Sequence, residues 1–266
     1  MDSFWFAFGL TIIAGLATGI GSLIALIAKR TNAKFLSVSL GFSAGVMLYI
    51  SFMEIIPMAK EELALYLGDR AGMLSLLLAF FGGMGVIAAI DFLIPKSSNP
   101  HEFQNVEDMN NPVNRKSLKR MGVLVAVALV IHNFPEGIAV FATAMNGELS
   151  LAIPIAIAVA IHNIPEGIAV SVPIYHATGS KRKAFWISFL SGLAEPLGAL
   201  VAFFFLMPFW SPLVSGVLMA AVAGIMVFIS LDELLPAAEK YGKHHLSISG
   251  LIAGMMVMAL SLYLLM

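Results

Sequence analysis

The chain has 266 residues, 59% of them hydrophobic and 12% charged, with no cysteine and a formal net charge of −1. Soluble domains carry roughly 25% charged residues, so the composition is that of an integral membrane protein. The missing cysteines exclude disulfides, thiolate metal sites and cysteine nucleophiles, and a near-neutral chain without a basic tail gives no footing for nucleic acid.

Eight apolar runs are long enough to cross a bilayer, about 20 residues each: 4–28, 35–59, 72–94, 120–145, 149–177, 184–207, 212–238 and 246–266. Helices are the expected spanning element, because backbone groups in lipid must be satisfied within the segment. The predicted fold is therefore an all-α membrane bundle of eight transmembrane helices, a single transmembrane domain over 1–266. Segment 1 follows Met1-Asp2-Ser3 without a positive n-region, so it is expected to stay as a helix and not be cleaved. Its Gly15-Leu16-Ala17-Thr18-Gly19 run, and Gly82, Gly83 and Gly85 of segment 3, are read as surfaces for close helix packing. The stretch with Glu61, Glu62 and Asp69 after segment 2 reads as a solvated acidic loop that could also gather cations.

Asp91 falls close to the end of segment 3, and His176 at the same level of segment 5; the two are candidates to line a pathway. Between segments 3 and 4 the polar stretch 95–119 reads as a mobile linker. Its His101, Glu102, Glu107 and Asp108 offer a single histidine, too little for a metal site.

Segments 4 and 5 carry the chemistry. His132-Asn133-Phe134-Pro135-Glu136-Gly137-Ile138-Ala139-Val140 recurs as His162-Asn163-Ile164-Pro165-Glu166-Gly167-Ile168-Ala169-Val170, with one difference, Phe134 against Ile164. On a helix the histidine and the glutamate four residues on share one face. Imidazole nitrogen and carboxylate oxygen together suit Zn2+, Fe2+, Mn2+ and related ions. Asn133 and Asn163 turn about 100° away, where a second, adjacent site could use them, bridged by Glu136 and Glu166. Pro135 and Pro165 cannot donate to the carbonyls four residues back; a kink at each, and a hydrated cavity between segments 4 and 5, is expected. Gly137 and Gly167 are expected to let those two backbones approach each other. Segment 6 adds Glu195 in Ser191-Gly192-Leu193-Ala194-Glu195-Pro196-Leu197. Three charged, unpaired carboxylates in lipid would cost on the order of 8–10 kcal/mol. Interhelical hydrogen bonds average under ~1 kcal/mol each, so a purely structural network is a poor reason to bury them, and a bound cation is a good one.

Segment 7 contains Asp232-Glu233-Leu234-Leu235-Pro236. Residues 44–59 and 223–238 match at a constant offset of 179, eight of sixteen pairs being identical. Thirteen Lys and Arg fall on one side of the predicted membrane and only Lys60 and Arg70 on the other, which puts both termini outside. Segments 2 and 7 then run in opposite directions, as do 4 and 5. This is the pattern of inverted repeats, segments 1–3 against 6–8 and 4 against 5, around a midplane site. Glu54 is placed at an entrance and Asp232 with Glu233 at an exit.

The doubled His-Asn-x-Pro-Glu-Gly motif and the Asp232–Pro236 stretch resemble the ZIP (Zrt/Irt-like) family of divalent metal transporters, over essentially the whole chain. The resemblance implies import of Zn2+ and other divalent ions across a bacterial cytoplasmic membrane, the metals being substrates and not cofactors. It implies a two-metal centre: His132, Glu136, His162 and Glu166 at the first site; Asn133, Asn163 and Glu195 at the second, sharing Glu136 and Glu166. It also suggests a homodimer. Many relatives have an acidic residue in place of Asn163 and some a glutamine in place of His162, which lowers the charge of the second site here. Two other classes fit less well. A metalloenzyme would need His-Glu-x-x-His or paired Glu-x-x-His ligands, and a proton-coupled carrier of organic substrate would need aromatic or basic groups beside the motifs.

Overall fold

The computed structural model describes residues 2–27, 33–93, 130, 133–145, 149–242 and 244–265. The linker at 95–119 and His132 lie outside the described residues. The described residues form eight helices and no strand. Helix α1 is Asp2–Ile27. Helix α2 runs as Ala33–Ile50, passes through a π-helical turn at Ser51–Ile55 and continues as Ile56–Leu67. Helix α3 is Asp69–Leu93, α4 covers 133–145 and α5 is Leu149–Thr178. Helix α6 comprises Lys181–Gly192, Ala194–Val201 and a π-turn at Ala202–Leu206. Helix α7 comprises Pro212–Ile229, a π-turn at Ser230–Leu234 and Leu235–Tyr241. Helix α8 is His244–Leu265.

Six of these, α1, α2, α3, α6, α7 and α8, are long and apolar enough to cross a membrane, and the apolar stretch Ala152–Ile168 of α5 is shorter. Their outer faces are apolar as well: Leu74, Leu78 and Phe81 on α3 and Met256, Leu260 and Leu264 on α8 are exposed. An exterior of this kind needs lipid or protein to cover it.

The acidic stretch after segment 2 is not a loop. Ala59 and Leu63, four apart, are buried, while Lys60 and Glu61 are exposed, and Gly216 of α7 sits against Leu63 and the Ala59 carbonyl. A stripe with an apolar face to bury keeps the helix going. It stops at Gly68, whose φ of 80° makes the turn into α3 without the cost a side chain would meet.

Helix α2 packs along α8, and α3 along α7. A Cβ on Gly45 would run into the Leu251 carbonyl; one on Gly224 would run into that of Phe80. Gly254 lies against the Phe42 carbonyl, and Gly83 against that of Ala221. Under offsets of 179 from α2 to α7 and 171 from α3 to α8, these are the same two contacts made twice. The expected inverted repeat is thus present in the backbone packing. Gly82 and Gly85, in contrast, have open space where a Cβ would stand, with no atom within 4 Å, and carry no helix contact there.

Two of the three π-turns repeat too, those of α2 and α7, at the same offset of 179. Pro57 and Pro236 lack the N–H that would close an α-helical turn. The turn ahead of each widens instead: the Ile56 N–H donates to the Ser51 carbonyl and the Leu235 N–H to that of Ser230. Such turns keep a helix continuous around a local mismatch.

Candidate metal centre

The centre is built where α1 crosses α6. Gly15 and Gly192 are the crossing point, each so placed that a Cβ would strike the other's carbonyl oxygen. Helix α5 joins α1 in the same way, with Gly167 on the Thr18 carbonyl, and α4 joins α6 with Gly137 on the Glu195 carbonyl. The glycines of the two motifs therefore do not bring α4 and α5 against each other, as the sequence suggested; each lets its helix seat on a different partner. Gly21 on Ile164 and Gly198 on Phe134 repeat the relation. Offsets of 177 from α1 to α6 and 30 from α4 to α5 turn one set of contacts into the other.

This packing gathers five polar side chains from three helices, all at most 1% exposed: Glu136 on α4, His162, Asn163 and Glu166 on α5, and Glu195 on α6. His162 Nε2 lies 3.1 Å from Glu136 Oε2 and 4.0 Å from Glu166 Oε1. Two ligands at ~2.0–2.1 Å from a tetrahedral ion stand ~3.3 Å apart, so small side-chain movements would put an ion between them. Asn163 Nδ2 donates to the Ala14 carbonyl at 2.9 Å and to the Glu195 carboxylate. Asn133 is fully buried on α4.

Among the described residues three oxygens in this group have no hydrogen-bond partner, Glu195 Oε2, Asn163 Oδ1 and Asn133 Oδ1, and neither has the amide donor of Asn133. Buried polar atoms are almost always satisfied, and an unsatisfied one costs about 1–3 kcal/mol. All three are acceptors, and a cation is what a set of unsatisfied acceptors suits. Among the described residues no three His, Asp or Glu side chains already form a metal cage; His132, one turn ahead of Glu136 in sequence, is outside that set.

The other sequence-predicted residues sit elsewhere. Glu54 is on the π-turn of α2, half-buried, and Asp232 and Glu233 are on the π-turn of α7, with Asp232 exposed. Asp91 and His176 fall in α3 and α5, and their side chains lie outside the described set. The helix of α5 is unbroken through Pro165; widened turns instead stand ahead of Pro57, Pro208 and Pro236. Sequence reading missed α1. Its Ala14 carbonyl holds Asn163, and its Thr18 stands where α6 has Glu195. The signal was there: residues 14–27 and 191–204 match at six of fourteen positions, led by Gly-Leu-Ala in both.

The chain is similar to known proteins along most of its length. The family described as ZIP Zinc transporter matches residues 94–262. A zinc transporter ZupT of Lysinibacillus sphaericus is 62% identical over 262 residues, covering 97% of each chain. One of Streptococcus mutans is 60% identical over 258 residues, again 97% of each, and one of Oceanobacillus iheyensis is 60% identical over 268 residues, 100% of each.

Proposed function

The chain belongs to the ZIP family of metal transporters, and on that footing we propose that it imports Zn2+ into the bacterial cytoplasm through a two-metal centre between α4, α5 and α6. It is a multi-pass membrane protein that transports a divalent metal and is not an enzyme. Fe2+, Mn2+, Co2+ and Cd2+ are further substrates in this proposal, since the same nitrogen and oxygen donors accept them. The reading is carried by the His162–Glu136 pair at 3.1 Å in a fully buried setting, with Asn163 and Glu195 bonded beside it.

In the proposed centre His132, Glu136, His162 and Glu166 hold the first ion. Asn133, Asn163 and Glu195 hold the second, with Glu136 and Glu166 between the two. The imidazoles lend nitrogen lone pairs and the carboxylates offset the ion's charge. Amide oxygens at Asn133 and Asn163 add no charge, so the second ion is held more weakly and leaves more readily. Glu54 serves the outer approach and Asp232 with Glu233 the inner one, Asp91 and His176 lying along the inner route. Both termini face outward, and two copies assemble in the inner membrane.

Uptake into proteoliposomes, with a panel of divalent metals followed by elemental analysis, tests the proposal. Glu136→Ala and His162→Ala are each expected to remove most uptake at unchanged protein incorporation. Near-wild-type uptake by both variants sinks the metal-centre reading.

A further inference from the structure

Thr18 is fully buried, and its Oγ1 has no hydrogen-bond partner among the described residues. Mid-helix threonines usually satisfy themselves on the carbonyl four residues back. Here that carbonyl belongs to Ala14 and is taken by Asn163. The Thr18 hydroxyl instead stands over the crossing point, 2.8 Å from where a Cβ on Gly192 would lie.

The internal repeat says what this position is. Thr18 and Glu195 are equivalent: Gly167 rests on the carbonyl of one and Gly137 on the carbonyl of the other. Asn163 reaches Glu195. The residue equivalent to Asn163 is Asn133, which is fully buried and whose amide atoms have no partner among the described residues. The two corners of one plan thus differ in a single respect. One pairs an asparagine with a carboxylate; the other has a threonine at the carboxylate's position and an asparagine that makes no such bond.

We infer that Thr18 is a specificity-determining residue of the metal centre, the neutral counterpart of Glu195, leaving a corner with Asn133 that admits the ion's own water. The inference rests on the two-metal reading above. Three carboxylates, Glu136, Glu166 and Glu195, do not fully balance two divalent ions, whereas a fourth at position 18 would. Threonine there keeps the second ion loosely held, with hydroxyl, amide and water oxygens of the kind that suit hard, weakly bound cations.

A swap tests this in the purified full-length protein, with Co2+ binding read by equilibrium dialysis and by the visible absorption of the bound ion. His162→Ala is the control for the centre itself: unchanged binding there overturns the metal-centre reading as a whole. Glu195→Thr is expected to loosen Co2+ roughly 10–100-fold, the range seen when groups that support a metal site are lost. The double variant Thr18→Glu with Glu195→Thr is expected to recover most of that loss, its new carboxylate accepting from the Asn133 amide. Thr18→Glu alone should tighten the weaker binding event and slow uptake in proteoliposomes. A double variant no better than Glu195→Thr, in monodisperse protein, overturns the role of Thr18 while leaving the centre intact. If the carboxylate variants do not fold, Thr18→Val decides the matter, since it keeps the volume and removes Oγ1. A changed Co2+ spectrum with weakened binding supports the inference, and wild-type affinity and spectrum overturn it.

Discussion

At one end of the α1–α6 crossing Phe4 packs on Phe203, ring centroids 4.5 Å apart. At the equivalent place on the other end, Lys181 Nζ donates to the Leu26 carbonyl at 2.6 Å. These are the same two positions, 177 residues on: Phe4 becomes Lys181 and Leu26 becomes Phe203. The contrast deepens one layer in. Phe141 is fully buried against Phe4 and Phe203, at 5.8 and 6.2 Å between centroids, and Phe8 stacks on Phe4. The counterpart of Phe141 on α5 is Ser171, its hydroxyl turned to the Ile168 carbonyl. The backbone plan is repeated, and the side chains join four rings at one end, while at the other Lys181 and Ser171 meet main-chain carbonyls beside an apolar cluster of Leu26, Val170, Ile174 and Ala184. A hydrated ion cannot cross four packed rings without moving them, whereas hydroxyls and carbonyls can stand in for its water. In the proposed orientation the aromatic end faces outward.

Removing the aromatic block is the most drastic way to erase this difference. Phe141→Ser gives the outer end the residue of the inner one. It empties a ring-sized space in a packed core, a loss of about 3–5 kcal/mol by analogy with large-to-small core changes. A marked fall in thermal unfolding temperature in detergent is expected, together with labelling of nearby introduced cysteines by an outside, membrane-impermeant maleimide. The chain has no native cysteine, so that readout has no background. Wild-type stability and no labelling would remove Phe141 as the outer seal. The converse, Ser171→Phe, blocks the inner end. Uptake should fall several-fold while Co2+ binding by purified protein persists, because Ser171 makes no described contact with the metal donors; parallel loss of both would mean the ring distorts α5 itself. The mildest change is Lys181→Met, which removes the clasp on Leu26. A single hydrogen bond of this kind is worth roughly 1 kcal/mol, so a shift of a few degrees in unfolding temperature and near-normal uptake are expected.

Much of this could be read from the sequence because burying charge in lipid is costly and therefore conspicuous. His162, Glu136, Glu166 and Glu195 stood out in apolar segments, and the structure brings them together. The 179-residue repeat between α2 and α7 was equally plain, since eight identities in sixteen cannot hide in a run of ordinary apolar residues. What stayed hidden has no side-chain signature. The Ala14 carbonyl that holds Asn163 is main chain, and nothing in an alanine announces it. Thr18 reads as one more small residue in a glycine-rich packing run until its partner position is recognised as Glu195. The proline kinks were expected at Pro135 and Pro165, where the chemistry is, because proline removes a donor wherever it falls. How the helix absorbs that loss depends on its neighbours, and here Pro57, Pro208 and Pro236 have widened turns ahead of them.

The widened turns of α2 and α7 also decide which way an acid faces. Closing its hydrogen bond five residues back, a π-turn winds more slowly than the α-helix around it, and such turns are frequent at functional sites. Ser51–Ile55 carries Glu54 and Ser230–Leu234 carries Glu233 at the same place in each turn, and both glutamates are half-buried. The proline behind each turn therefore sets the angle at which its glutamate leaves the helix, and a residue that never touches an ion tunes the aim of one that could.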